Sequence, residues 1–240
     1  MRVYLVPAGH AVRPRPGYFL YGVGVVPVPP SAASREPEQK RAVAFVDGQN
    51  LYHCVRECFG YSYPNYDVMA LARAVCNPRQ WLVSQVKFYT GIPAPSDDPR
   101  WNRFWSRKLL SMNRQGVQTF SRQLRYREKR HRMPGGGEFT FTDGEEKGID
   151  VRMAIDIIRM AHRREYDVAL VSSQDQDLSE VAKEIVRIAG EQQRWIKMAC
   201  AYPVGATGNQ RGIYGTDWIP IDRSLYDTCV DPFDYSAPPR

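Results

Sequence analysis

The sequence predicts an α/β sandwich built around a central, mainly parallel sheet. Strand-like apolar runs alternate with helix-like segments along the chain, which is the pattern of repeated β-α units. The first run, residues 42–46, is continuously apolar and stops at Asp47-Gly48. Such a run is typical of a strand that is buried on both faces. With 240 residues, of which 43% are hydrophobic, the chain can bury a core of the required size.

The first half of the chain contains five further elements that follow from apolar spacing. Val68, Leu71 and Val75 recur at helical intervals, and the residues after Trp81 alternate between apolar and polar up to a glycine. The predicted elements are, in order, a helix over residues 50–59, a helix over 66–75, a strand over 81–89, a helix over 100–115 and a strand over 117–120.

The second half begins with a segment of a different kind. Residues 121–132 are strongly basic. Residues 133–146 are Gly-rich with little core content, so we predict a loop or a hairpin over residues 133–146. Alternation then resumes. The predicted elements are a helix over residues 147–162, a strand over 166–173, a helix over 177–190 that Gly190 closes as its C-cap, and strands over 195–202 and 217–221.

The ends of the chain have the composition of tails. Residues 26–40 combine Pro, Ser and charge without apolar periodicity, which is typical of a linker. We therefore expect residues 1–40 to be a flexible tail or an addition from a misassigned start codon, residues 41–235 to be the domain, and residues 236–240 to be a second tail.

No apolar run in the sequence approaches the length of a membrane span. The five cysteines are scattered and form no CxxC pair, which indicates reduced thiols in a cytoplasmic protein.

Acidic residues stand at the ends of apolar runs in three separate segments. Asp47 follows the first strand and Asp150 lies near the start of a helix. Asp175 and Asp177 follow the strand over residues 166–173. Because the carboxyl ends of parallel strands meet at one edge of a sheet, these side chains are expected to converge. Carboxylates suit Mg²⁺ or Mn²⁺, and a paired-metal centre can activate water for in-line attack on a phosphodiester. The pattern predicts a metal-dependent nuclease.

Each acid also has a structural explanation when it is taken alone. Asp47 can serve as a helix N-cap, and so can an acid after the later strand. Asp150 and Asp156 can be solvated, or can pair with Arg152 or Arg159. Acids packed closely together repel one another unless a cation is present. Their joint occurrence in three segments therefore favours a site.

Positive charge indicates a polyanionic partner. The net charge is +7 and the pI is about 9.2, and cations that neutralise phosphates release condensed counterions. Within the basic segment, Tyr126 and His131 could stack on unpaired bases. A solvated face is the competing explanation for such a run. The candidate RNA-binding residues are Arg122, Arg125, Arg127, Lys129, Arg130 and Arg132.

Three motifs carry a resemblance to a known family. VDGQN, KGIDVRMAID and SSQDQDL have an order and separation that resemble the NYN domain of the LabA-like group, a branch of the PIN-like nucleases. The resemblance extends over residues 41–235, where the closing WIPIDRSLYDTCVDPFDY is similar to bacterial members. It implies a PIN-like three-layer α/β sandwich with a central mainly parallel sheet, and aspartates that coordinate Mg²⁺ or Mn²⁺ to hydrolyse RNA, here as an endoribonuclease.

The resemblance also implies roles for individual residues. Carried over by position, the catalytic residues are Asp47, Asn50, Asp150, Asp175 and Asp177, with the four aspartates as metal ligands. Asp156 matches a recurrent acid of the helix and is a further candidate ligand. The chain departs from the family pattern Ser-Gly-Asp-x-Asp-Phe because Gln174 replaces the glycine before Asp175.

Two other functions are compatible with the same residues. A catalytically silent RNA-binding or partner-docking module would keep the fold and use the acids as caps, and the changed turn at Gln174 supports it. A phosphatase or nucleotide hydrolase could use the same metal chemistry, but the basic surface and the lack of a Walker-type loop disfavour it. The expected partner is single-stranded RNA, without a membrane, and homo-oligomerisation is compatible with the sequence.

Overall fold

The domain is organised around a six-stranded sheet in which every strand pair is parallel. The computed structural model describes residues 35–132, 138–145 and 148–236, and between residues 127 and 145 it describes the backbone alone. The predicted tails over residues 1–40 and 236–240 lie almost entirely outside these ranges and stay predictions. The predicted α/β sandwich with a mainly parallel central sheet is confirmed.

The elements follow one another along the chain in the predicted alternation. The strands are β1 (Lys40–Asp47), β2 (Trp81–Ile92), β3 (Gln118–Gln123), β4 (Arg125–Arg132), β5 (Glu138–Glu145), β6 (Val168–Ser172), β7 (Lys197–Pro203) and β8 (Asp217–Ile221). The helices are α1 (Gly48–Phe59), α2 (Val68–Cys76), α3 (Pro99–Arg114), α4 (Ile149–His162), α5 (Ser179–Glu191) and α6 (Arg223–Asp227). Short 3-10 turns lie at Asn77–Arg79 and Gln176–Leu178.

The order of the strands creates a crevice between β1 and β6. Across the sheet the order is β3-β2-β1-β6-β7-β8, so the chain builds outward from β1 to β3 and then crosses to β6 on the other side. At this switch point the connections leave the carboxyl ends of neighbouring strands in opposite directions. The crevice that results is the expected position of a ligand site.

Two apolar layers enclose the sheet. Val43 and Phe45 of β1 contact the layer that contains α4 and α5, whereas Ala44 and Val46 contact the layer that contains α1, α2 and α3. These four residues are at most 2% exposed, which confirms the prediction of a strand buried on both faces. After Asp47 the backbone passes so close to the Phe88 ring that a Cβ on Gly48 would lie 2.3 Å from Phe88 Cζ, so glycine is required there.

The predicted C-cap of α5 was wrong. The helix predicted over residues 177–190 begins instead as a 3-10 turn, continues as α5 from Ser179, and ends at Glu191 with Gln192 as C-cap. Gly190 therefore lies inside the helix, and the residue in the left-handed conformation is Gln193, with φ 48°. The cause is that helical hydrogen bonding continues past Gly190, since the Gln192 N–H donates to the Ile188 carbonyl at 2.9 Å.

The basic segment and the segment after it form an antiparallel hairpin, in which Arg125 pairs with Glu145 and Arg132 with Glu138. Of residues 133–146, the described part Glu138–Glu145 therefore contributes one strand, β5, to a hairpin with the basic segment, while residues 133–137 lie outside the described residues. The strand β4 was not predicted, because a run of charged residues has no apolar alternation.

Among the described residues no helix is both long enough and apolar enough to cross a bilayer.

Candidate active site

Asp47 is the last residue of β1 and lies at the switch point between β1 and β6. As the N-cap of α1, its Oδ1 accepts the N–H of Asn50 at 3.0 Å. Its Oδ2 accepts the hydroxyl of Ser173 at 3.4 Å, and the residue is only 9% exposed. The capping explanation for Asp47 is therefore correct, and the same carboxylate also contacts the segment that follows β6.

Asn50 joins the first motif to the third. Its Oδ1 accepts the backbone N–H of Gln174 at 2.9 Å, and it also accepts the Cys54 thiol at 3.5 Å. The amide thus fixes the turn after β6 against the start of α1. The structure brings Asp47 and Asn50 together with this turn, although the two segments are 124 residues apart in sequence.

The two acids of the turn differ in exposure. Asp175 is half-buried, and its Oδ1 accepts the N–H of Asp177 at 3.0 Å as the cap of the 3-10 turn. Its own N–H donates to the Ser173 hydroxyl at 3.2 Å, which ties it to the group that contacts Asp47. Asp177 is exposed. Asp175 therefore lies nearer to the crevice than its neighbour.

Burial and negative charge act together on Asp47. Its pKa is raised to about 6, first because burial removes hydration and also because the charges of Asp175 and Asp150 repel it. Hydrogen bonds from Asn50 and Ser173 offset part of this rise. Asp150 is exposed in the first turn of α4. Asp47, Asp150 and Asp175 thus lie within electrostatic range of one another.

These oxygens match the preference of a hard divalent cation. Carboxylates are the usual protein ligands of Mg²⁺ and Mn²⁺, and a cation would relieve the repulsion that raises the pKa of Asp47. Within residues 35–132, 138–145 and 148–236, however, no three Asp, Glu, His or Cys side chains form a group that could hold a metal ion. The ligand roles of the four aspartates stay predictions.

Asp156 lies in an ion-pair cluster between α4 and β2. It is 2% exposed and accepts hydrogen bonds from Tyr89 at 2.9 Å, Arg152 at 3.2 Å and Arg159 at 2.8 Å, while Lys87 Nζ lies 3.8 Å away. Burial alone would raise its pKa, but the bonds from Tyr89 and Arg152 and the charge of Lys87 outweigh it, so the pKa is lowered. Both oxygens are therefore in use, and this geometry favours the ion-pair explanation over a metal ligand.

Replacing Asp156 with alanine is expected to reduce the free energy of unfolding by about 2–4 kcal/mol at neutral pH. The variant leaves Lys87 without its acidic partner, and the cost stays below that of a fully buried pair because Arg152 and Arg159 are 39% and 45% exposed. Because the folded pKa is lowered, the contribution is complete well above pH ~4 and disappears in acid. Urea titrations at pH 7 and pH 3 measure it, with exposed Asp177→Ala as the control. If Asp156→Ala unfolds with the wild-type free energy at pH 7, the ion-pair cluster does not stabilise the fold.

The predicted RNA-binding run starts beside the acids. A Cβ on Gly148, the residue before α4, would lie 2.6 Å from Arg122 Nη1. The guanidinium groups of Arg122 and Arg152 lie 5.5 and 4.8 Å from the centre of the Phe120 ring. Sequence reasoning missed Arg152 and Phe120 as part of this edge, because their contact joins β3 to α4. For the rest of the run, Arg125 begins β4 and the side chains of Arg127, Lys129, Arg130 and Arg132 lie outside the described residues.

Gln174, where the chain departs from the family pattern, has a contact of its own. It is 8% exposed, and its Nε2 donates to the carbonyls of Asn209 at 2.8 Å and Arg211 at 2.7 Å. Gln174 is not among the described residues with a positive φ, so its backbone does not require glycine. The replacement therefore keeps the turn and connects it to the segment between β7 and β8.

Comparisons with known proteins show which family the chain resembles. A family model described as NYN domain matches residues 41–188, which run from β1 into α5. A crystal structure of a protein of unknown function from Vibrio parahaemolyticus is 20% identical, with a TM-score of 0.45, over 79% of this chain and 97% of that chain. No curated protein matches the chain. The matched residues include all the acids of the candidate site and the basic hairpin.

Proposed function

This chain belongs to the NYN domain family of PIN-like nucleases, and we propose that it is a metal-dependent endoribonuclease that cuts single-stranded RNA. The observation that carries the proposal is the burial of Asp47 at the strand switch point, with Asp150 and Asp175 near enough to raise its pKa. Groups with shifted pKa values in a crevice are typical of catalytic sites. The motif spacing supports assignment to the LabA-like group within the family.

In this proposal the acids divide into ligands and supporting groups. Asp47, Asp150 and Asp175 would hold Mg²⁺ or Mn²⁺, which when bound supplies positive charge to the phosphate oxygens and lowers the pKa of a water molecule. Asn50 holds the turn that carries Asp175. Asp177 is exposed at the same edge, where it can accept a hydrogen bond from the attacking water or add a ligand.

The basic segment supplies the affinity for RNA. Arg122 lies next to the start of α4, so a strand that contacts it passes Asp150 as well. The hairpin extends this basic segment from Arg125 to Arg132. Neutralisation of several phosphates releases counterions from the RNA and provides binding that is independent of sequence. This arrangement suits a nuclease that recognises the backbone of single-stranded RNA.

We expect the purified protein to linearise a circular single-stranded RNA in the presence of Mg²⁺ or Mn²⁺ and then to cut it further. A circle has no ends, so its opening shows endonucleolytic cleavage directly on a denaturing gel. The same sequence as DNA, or annealed to a complementary RNA, is the control and should be cut far more slowly. A circle that binds the protein but stays intact with both metals would instead establish the silent RNA-binding module.

A further inference from the structure

The β7–β8 loop, residues 204–216, is attached to the turn that carries Asp175. Besides the two bonds from Gln174 to this loop, the Nε2 of Gln176 donates to the Gly212 carbonyl at 3.1 Å. The Oε1 of Gln176 accepts the N–H of Tyr214 at 3.2 Å. The two glutamines of the third motif thus bind the loop through its backbone.

The opposite side of the loop packs directly on α1. A Cβ on Gly205 would lie 2.6 Å from the Cys58 carbonyl oxygen, and one on Gly208 would lie 2.7 Å from the Cys58 thiol. The Thr207 hydroxyl donates to the Glu57 carbonyl, and Gln210 closes the loop by donating to the Gly205 carbonyl at 2.8 Å. The loop is therefore fixed between α1 and the acidic turn.

The loop carries a cation, Arg211, whose backbone is attached to the acidic turn. Arg211 is exposed, and its carbonyl contacts Gln174, whose N–H contacts Asn50. No ion pair links its guanidinium to any residue in the part of the chain that the structure describes. An exposed arginine of this kind is available to a phosphate, which it can bind with two parallel hydrogen bonds.

The order of the strands places the β7–β8 loop, which carries Arg211, and Arg122 of β3 on opposite sides of the acids. Arg122 lies near the β3 edge of the sheet, whereas the β7–β8 loop follows β7 on the other half. Asp47 and Asp175 follow β1 and β6, which are the two central strands. A strand of RNA that crosses the carboxyl edge of the sheet would thus meet a cation on each side of the acids.

We propose that the β7–β8 loop is the second wall of the RNA groove and that Arg211 binds a phosphate next to the one that is cut. Gln174 and Gln176 are positioning residues, because they hold the loop through its backbone without contacting RNA. The proposal rests on the proposed function in taking RNA as the ligand. It gives Gln174 a positive role: the chain uses this side chain to place a phosphate-binding arginine.

The test measures binding of a fluorescein-labelled single-stranded RNA in EDTA by anisotropy over a series of NaCl concentrations. Arg211→Ala is expected to weaken binding about five- to tenfold and to reduce the slope of log K against log[NaCl] by about 0.7, the contribution of one phosphate contact to a single strand. Arg211→Lys should keep the slope. The matched control is Arg163→Ala, an exposed arginine after α4 at the opposite edge of the sheet, which should leave both quantities unchanged.

A double-mutant comparison tests the role of Gln174. Gln174→Ala should weaken RNA binding in the wild-type background and add nothing in the Arg211→Ala background, because it acts through Arg211. A purely structural role would lower the melting temperature and leave the salt slope intact. Two results would overturn the proposal. One is a wild-type slope of log K against log[NaCl] in Arg211→Ala, and the other is a loss of RNA affinity in the double variant that equals the sum of the two single losses. Binding in EDTA is independent of cleavage, so a chain that needs Arg211 to bind RNA but never cuts it would overturn only the nuclease assignment.

Discussion

Replacing Asp47 with asparagine is expected to reduce RNA cleavage on the order of a thousandfold, which corresponds to about 4 kcal/mol of transition-state stabilisation. Asparagine caps helices as well as aspartate does, so α1 should keep its start. What disappears is the negative charge at the centre of the candidate site. Initial cleavage rates of a labelled single-stranded RNA in Mg²⁺ measure the effect, and Asp150→Asn should behave in the same way.

The same variant should not lose stability. Burial raises the pKa of Asp47 to about 6, so at pH 7 without metal the ionised carboxylate is unfavourable in the folded state by about 1–3 kcal/mol. The neutral amide of Asp47→Asn removes this charge, and we expect an equal or higher melting temperature in EDTA. The matched control is Asp67→Asn, the same change at the N-cap of α2, which should leave cleavage intact. Wild-type cleavage by repurified Asp47→Asn protein would refute the assigned role.

Removal of divalent metal is expected to abolish cleavage, and added Mg²⁺ or Mn²⁺ should restore it. In the absence of a cation the acids around Asp47 would repel both one another and the phosphates of RNA. Chelation followed by dialysis, and then titration of each metal against cleavage rate, measures this dependence. A rate that survives thorough chelation would show that the acids do not act through a metal.

Metal should also stabilise the folded protein. A ligand that binds only the folded state at 100 times its Kd raises the free energy of unfolding by about 2.7 kcal/mol, and thermal denaturation with and without Mn²⁺ detects a change of that size. Asp47→Asn and Asp150→Asn should lose this increment, whereas Asp67→Asn should keep it. If Mn²⁺ stabilises the wild type and all three variants equally, the metal binds elsewhere on the protein.

The fold was predictable because each of its two central strands contains a continuous apolar run, residues 42–46 in β1 and 168–171 in β6. Continuous burial on two faces leaves few positions for polar residues, so β1 and β6 are evident as uninterrupted apolar runs. The acids were predictable for the same reason, since Asp47 is the first charged side chain after a buried run. By contrast, β4 was not predicted because its charged residues have no apolar alternation, although its partner strand β5 follows closely in sequence.

The supporting contacts of the site could not be predicted from local pattern. Tyr89 and Asp156 are 67 residues apart, and Gln174 and Arg211 are 37 apart, so only the folded chain shows that they meet. From the sequence alone, glutamine in place of glycine at position 174 supported the silent-module hypothesis. In the structure the Gln174 side chain donates two hydrogen bonds to the β7–β8 loop, which explains why a glutamine is present.

The most direct test of the central claim is an anomalous difference map from crystals of the protein grown with Mn²⁺. We predict a peak at the carboxyl edge of β1 and β6, with oxygens of Asp47, Asp150 and Asp175 at about 2.1 Å, and no such peak for Asp47→Asn. A map without manganese at this edge, in which the three carboxylates do not share a metal ion, would contradict the claim that Asp47, Asp150 and Asp175 form a metal site.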